Sequence, residues 1–144
     1  MAELNMQQML KQLVLHEGMR TKPYKCTAGK LTIGVGRNLD DVGISEDEAH
    51  YLLANDVDKA AREVEERIPA YARLDEVRKR VLVDMAFNMG VGGMMNFKNM
   101  LAALERGDYA TTAKEMLDSR WARQVGNRSQ RLAVMMETGI DQIA

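Results

Sequence analysis

Residues 22–39 read KPYKCTAGKLTIGVGRNL, and this stretch decides the fold. Pro23, Gly29, Gly34 and Gly36 punctuate it, while Tyr24, Leu31, Thr32, Ile33 and Val35 favour extended backbone. The stretch reads as a small antiparallel sheet with a turn at Thr27-Ala28-Gly29-Lys30. Helices are expected on both sides. Upstream, residues 3–17 place Leu4, Met6, Met9, Leu10, Leu13 and Val14 at helical spacing, with Gly18 as C-cap. Downstream, Ser45-Glu46-Asp47-Glu48 is a capping box that opens the longest helix. Leu52, Leu53, Val57, Ala60, Ala61, Val64 and Ile68 share one face of it, and Pro69 ends it. A helix of about 22 residues spans about 33 Å. Asp75 then caps a helix through Val81, Leu82 and Met85 to Gly90, and shorter helices follow at 96–106, 108–118 and from about 127 to Gly139. The order is helix, small sheet, bridging helix, helical bundle, which is an α+β class with its strands in one N-terminal region.

Composition bounds the function. The chain has 144 residues, 46% hydrophobic and 28% charged, which suits one folded domain and not a disordered chain. No run approaches the roughly 18–20 uncharged apolar residues of a membrane span. The longest charge-free candidate, residues 85–97, is broken by Gly90, Gly92 and Gly93. The N-terminus carries Glu3 and no apolar core, unlike a signal peptide. A single cysteine excludes an internal disulfide and a cysteine-rich metal site, and points to a reducing cytoplasm. A net charge of −1 argues against a dedicated nucleic-acid binder. From Ser119 to Arg131, however, Arg120, Arg123, Arg128 and Arg131 face no acid in sequence. That run reads either as a solvated helix face or as a patch for an acidic polymer. The twelve methionines fall mostly at helix-core spacings and read as core filler.

Three residues invite a chemical reading. Glu17 stands at the end of the first helix, where the helix dipole disfavours a second negative charge and favours a protonated carboxyl. It reads as a general acid or as an ordinary surface glutamate. Cys26 reads as a small buried hydrophobe or as an activated thiol, with Lys25 beside it to lower its pKa. Strand alternation would put Tyr24 and Cys26 on one face. Thr32, five residues further on in LTIGVG, reads on its own as a β-branched strand residue. Gly34-Val35-Gly36 lacks the third glycine of a dinucleotide loop, because Leu39 stands there. His16 and His50 show no metal-ligand spacing, and no Walker loop is present, so no cofactor and no metal are expected.

HEG at 16–18, YKCTAG at 24–29 and LTIGVG at 31–36 together resemble the phage-type lysozymes, a family of glycoside hydrolases. The family's catalytic pattern is a glutamate, eight residues, an aspartate or cysteine, five residues and a threonine. Glu17, Cys26 and Thr32 match it with both spacings. SEDEAHYLLANDVDKA resembles the start of the family's interdomain helix, LDEVRKRVLVDMAFNMG the helix entering the substrate cleft, and SRWARQVGNRSQR a segment near the C-terminus. The likeness covers roughly residues 9–142. It implies one lysozyme domain over 1–144: a small sheet lobe at about 18–45, a bridging helix at about 45–67, and a helical lobe at about 70–144 that takes the N-terminal helix 3–17.

The resemblance also implies hydrolysis of the β-1,4 bond between N-acetylmuramic acid and N-acetylglucosamine in bacterial peptidoglycan. Glu17 is then the proton donor, and Cys26 with Thr32 handles the attacking water. Asn38, Phe87, Asn88, Met100, Gln124 and Asn127 fall where the family lines its saccharide cleft. Arg128 matches an arginine that faces the catalytic glutamate. The expected setting is that of a monomeric endolysin, made in the host bacterial cytoplasm and reaching the wall with the help of a holin. The alternatives are a lytic transglycosylase and an inactive wall-binding module. Three departures stand out. Cys26 occupies a position more often held by aspartate, Arg37 replaces a family histidine, and the segment before the long helix is short.

Overall fold

A computed structural model describes residues 3–143, so the two ends of the 1–144 expectation lie outside the described residues. Helix α1 spans Met6–Glu17. It starts later than the apolar spacing suggests because Asn5 caps it, its Oδ1 accepting the Gln8 N–H at 3.1 Å. Gly18 ends it as expected, at φ 76°, with its N–H donating to the Val14 carbonyl.

Three antiparallel strands follow in the order β1 (Arg20–Lys25), β2 (Leu31–Gly34), β3 (Arg37–Asn38). Tyr24 pairs with Thr32 and Lys25 with Leu31. The register slips between Arg20 and Tyr24, where Pro23 has no N–H to give to the ladder. Thr32 in turn pairs with Asn38, and Ile33 with Arg37. Val35-Gly36 closes the β2–β3 hairpin, and Gly36 takes φ 72°, open to glycine at little cost.

Helix α2 spans Glu46–Arg67, and the capping box forms as read. The Ser45 Oγ accepts from the Glu48 N–H at 3.1 Å, and Glu48 Oε1 accepts from the Ser45 N–H at 2.9 Å. The chain divides into two compact units, the first ending at Tyr51 and the second beginning at Leu52. The first holds α1, the sheet and the start of α2; the second holds the rest of α2 and all later helices.

In the second unit a 3-10 turn, Pro69–Arg73, precedes α3 (Glu76–Met89). Then come α4 (Val91–Met94), α5 (Lys98–Glu105), α6 (Tyr109–Leu117), α7 (Arg120–Val125) and α8 (Asn127–Thr138). Asp75, Asp108 and Ser119 cap α3, α6 and α7 through their side chains. The 3-10 turn, α4 and α7 escape the sequence reading because each spans fewer than two turns, too few for an apolar spacing to repeat. The core gathers Val64, Ile68, Leu82, Met85, Leu104, Met116 and Leu132 from five helices, α2, α3, α5, α6 and α8, and the chain just after α2. Met94, Met100, Met135 and Met136 are also buried in it, so the filler reading of the methionines holds for this unit. No helix of the described residues is long and apolar enough to cross a membrane.

Arg78 ties the C-terminal end of α8 to α3. Its Nε donates to the Met136 carbonyl at 2.6 Å and its Nη2 to the Glu137 carbonyl at 2.9 Å. Nη1 meets Asp75 at 2.9 Å, and the guanidinium lies 3.8 Å from the centre of the Tyr109 ring. A cation on the last carbonyls of a helix also complements its dipole. Arg78→Ala is therefore expected to cost about 2–3 kcal/mol, a Tm fall of about 5–10 °C by thermal denaturation. A fall under about 2 °C would show that the helix end holds without it.

Candidate active site

The sheet of the first unit brings Cys26 and Thr32 together. Cys26 lies one residue past β1, at the head of the predicted turn, so strand alternation does not set its side. The Cys26 N–H donates to the Lys30 carbonyl at 2.9 Å, and the Gly29 N–H donates to the Cys26 carbonyl at 2.8 Å. This loop turns the backbone N–H groups of Lys30 and Ala28 toward the sulfur, and they hold the thiol below its usual value of 9.0. The Thr32 hydroxyl adds to the same lowering, while partial burial opposes it. Lys25, the neighbour that the sequence suggested, is not among the causes. The lowering comes chiefly from peptide groups and not from a neighbouring charge.

Thr32 is buried at 3% exposure and its Oγ1 donates to the Lys30 carbonyl at 2.9 Å. One hydroxyl hydrogen thus has two acceptors in reach, the carbonyl and the sulfur. The hydroxyl oxygen keeps its lone pairs for a third group. Asn38 stands opposite Thr32 on β3. Its side chain closes a local turn, accepting from the Asp41 N–H at 2.9 Å and donating to Asp41 Oδ2 at 3.0 Å.

Glu17 projects from the last turn of α1 onto the β2–β3 hairpin. A Cβ added to Gly36 would stand 3.3 Å from Glu17 Oε2, closer than most such contacts. The absence of a side chain at residue 36 therefore makes room for the carboxylate. That role of Gly36 is not legible in the sequence, where a glycine pair signals a turn and its partner lies 19 residues away.

Arg37, which departs from the family pattern, pairs with Glu48 at 2.7 Å and also donates to the Gly43 carbonyl at 3.2 Å. The Arg37 guanidinium and the Ser45 N–H pull the Glu48 pKa down to about 2. A depressed carboxyl stabilises the fold above its unfolded value, near 4.5, and that contribution fades as the pH falls toward about 2. Arg37→Ala is thus expected to lower the Tm at neutral pH, with the difference from wild type closing between pH 4.5 and about 2. A difference that stays constant across a pH series of melting curves would assign the effect to packing.

The second unit carries the other expected contacts, dispersed over several elements. Phe87 is exposed and borders a depression between α2 and α3 with Asp56 and Glu63. Asn88 accepts from Trp121 Nε1 at 2.7 Å. Met100 is 1% exposed and belongs to the core, reaching only the floor of a separate depression with Phe97 and Ser119. Gln124 and Asn127 are exposed on either side of Gly126. Arg128 pairs with Asp84 at 2.7 Å. Arg120, Arg123 and Arg131 are exposed and make no ion pair among the described residues. No group of three His, Cys, Asp or Glu able to hold a metal occurs among the described residues.

Comparison with known proteins agrees with the resemblance read from the motifs. Residues 14–135 match the family described as Phage lysozyme. The chain is 32% identical to "Probable T4-type lysozyme 1" of Dictyostelium discoideum, over 85% of this chain and 89% of that protein. It is 29% identical to "Endolysin" of Acyrthosiphon pisum secondary endosymbiont phage 1, over 79% of this chain and 78% of that protein. It is also 29% identical to "Pre-baseplate central spike protein Gp5" of Enterobacteria phage T4, over 85% of this chain but 26% of that longer protein. With the α+β fold and a match over most of its length, the chain belongs to the phage lysozyme family.

Proposed function

We propose that the protein is a muramidase that hydrolyses the β-1,4 bond between N-acetylmuramic acid and N-acetylglucosamine in bacterial peptidoglycan. The observation that supports this most is the setting of Cys26: a thiol lowered by two peptide N–H groups beside the Thr32 hydroxyl. In the proposed reaction Glu17 gives its proton to the glycosidic oxygen as the bond to the anomeric carbon breaks. Water, held by the free lone pairs of Thr32, attacks that carbon and yields its proton to the Cys26 thiolate. The anomeric configuration inverts. Attack by the thiolate itself would instead form a thioglycoside and retain the configuration.

Asn38, Phe87, Asn88, Gln124, Asn127 and Arg128 would contact the glycan, with Met100 supporting its wall from the core. The scheme needs no cofactor. We further infer that the protein works as a monomeric endolysin, crossing to the wall from the cytoplasm with a holin. The exposed Arg120, Arg123 and Arg131 would draw it to the anionic wall, so lysis of whole walls is expected to slow as salt rises from low to physiological strength. Rates that stay flat across the salt series would remove that steering.

Digestion of purified peptidoglycan, with products read by mass spectrometry, tests the reaction. Reducing N-acetylmuramic ends are expected. Products lighter by one water, the 1,6-anhydro form, would make the enzyme a transglycosylase. Folded protein that binds walls and releases nothing would make it a wall-binding module.

A further inference from the structure

Helix α3 carries Asp84 and Asn88 one turn apart, and both reach the α7–α8 segment. Trp121 Nε1 donates to Asn88 Oδ1 at 2.7 Å. Arg128 Nε donates to Asp84 Oδ1 at 2.8 Å, and its Nη2 meets the same oxygen at 2.7 Å. Between these two anchors lies Gly126, at φ 59° and ψ −122°, a conformation that costs other residues strain. Gly126 is also the N-cap of α8 and has no side chain to cap it. The elbow between the two helices is thus jointed at a glycine, and Arg128 is the residue on its α8 side that bridges to α3. Gln124 and Asn127 flank the joint.

We propose that Asp84 is a positioning residue for glycan binding: by holding Arg128 it fixes the elbow that presents Gln124 and Asn127. This rests on the reading of those two residues as glycan contacts. The pair is poorly suited to a mainly structural role. Both side chains are more than a third exposed, at 38% and 39%, where ion pairs add little to stability. Helix α8 is already held by Leu132, Ala133, Met135 and Met136 in the core. What the pair adds is direction. Its geometry uses only Oδ1 of the carboxylate, so asparagine at residue 84 keeps the acceptor that the guanidinium uses, and alanine does not.

Trp121 is the sole tryptophan of the chain and is bonded to Asn88, so its fluorescence reports on this face. Wild type, Asp84→Ala and Asp84→Asn are titrated with the tetramer of N-acetylglucosamine, and KM, kcat and Tm are measured in parallel on peptidoglycan. Asp84→Ala is expected to weaken tetramer binding about fivefold and to raise KM alike, with kcat within about twofold of wild type and the Tm little changed. Asp84→Asn is expected to stay within about twofold of wild type in both. Unchanged affinity in Asp84→Ala, a loss confined to kcat, or no saturable binding by wild type would each overturn the proposal. Glycan binding without hydrolysis, weakened by Asp84→Ala, would support it while refuting the muramidase reaction.

Discussion

Glu17→Gln is expected to give a folded protein that releases reducing ends about 10²–10⁴-fold more slowly than wild type. The departing sugar oxygen is a poor leaving group as an alkoxide, so bond cleavage needs a proton delivered as the bond breaks. Glutamine matches glutamate in size and keeps the close approach to Gly36, where an added Cβ would stand 3.3 Å from the carboxylate. What it lacks is the transferable proton. The substitution therefore isolates the acid function from the packing. Matching melting curves for the two proteins, with product release followed by mass spectrometry, separate a chemical loss from a folding one. A variant that retains a tenth or more of the wild-type rate, on the order of less than 1.4 kcal/mol of lost transition-state stabilisation, would remove Glu17 from the acid role.

Cys26 provides the second large effect. Alanine at residue 26 is expected to slow hydrolysis about 10²-fold or more, since it would remove the group proposed to receive the water proton. Aspartate there, the commoner residue of the family pattern, is expected to retain activity and to become insensitive to iodoacetamide. The peptide N–H groups of Lys30 and Ala28 lower the thiol pKa, so a larger share is thiolate at any given pH. The alkylation rate of wild type should then rise with pH and level off below the usual thiol value of 9.0. Complete alkylation that leaves lysis at full rate would end the chemical role of Cys26. NMR of the first-formed anomer distinguishes the two stereochemical outcomes: an α-product from the β-linkage fits direct water attack, and a β-product fits a thioglycoside intermediate.

Much of this was legible in the chain because its signals are local. Ser45 and Glu48 spell a capping box and form one. The turn at residues 27–30 and the C-caps at Gly18, Gly90 and Gly139 follow from glycine chemistry. The spacing of Glu17, Cys26 and Thr32 led to the family, which the match over residues 14–135 bears out. The rest was hidden for identifiable reasons. Helices α4 and α7 span fewer than two turns, so their apolar spacing cannot repeat. The contact between Gly36 and Glu17 joins residues far apart in sequence, and glycine advertises a turn before it advertises a space. Asp84 is one acid in an otherwise apolar stretch, Val81 to Phe87; its partner stands 44 residues away and nothing near it in sequence points there. The thiol's surroundings were misassigned to Lys25 because side chains are what a sequence displays, whereas peptide groups do the work.

The main-chain origin of these donors governs how the site can drift over generations. The donors that face the sulfur belong to the main chain at residues 28 and 30, so the side chains there are free to vary without disturbing it. One replacement is barred at both, proline, which has no N–H to offer. A saturation library scored for lysis would show two permissive columns, each with a single forbidden letter, beside a column at Cys26 that accepts almost nothing except aspartate. Two positions that look unconstrained by every measure of side-chain identity would thus be fixed in the one attribute that substitution tables seldom record.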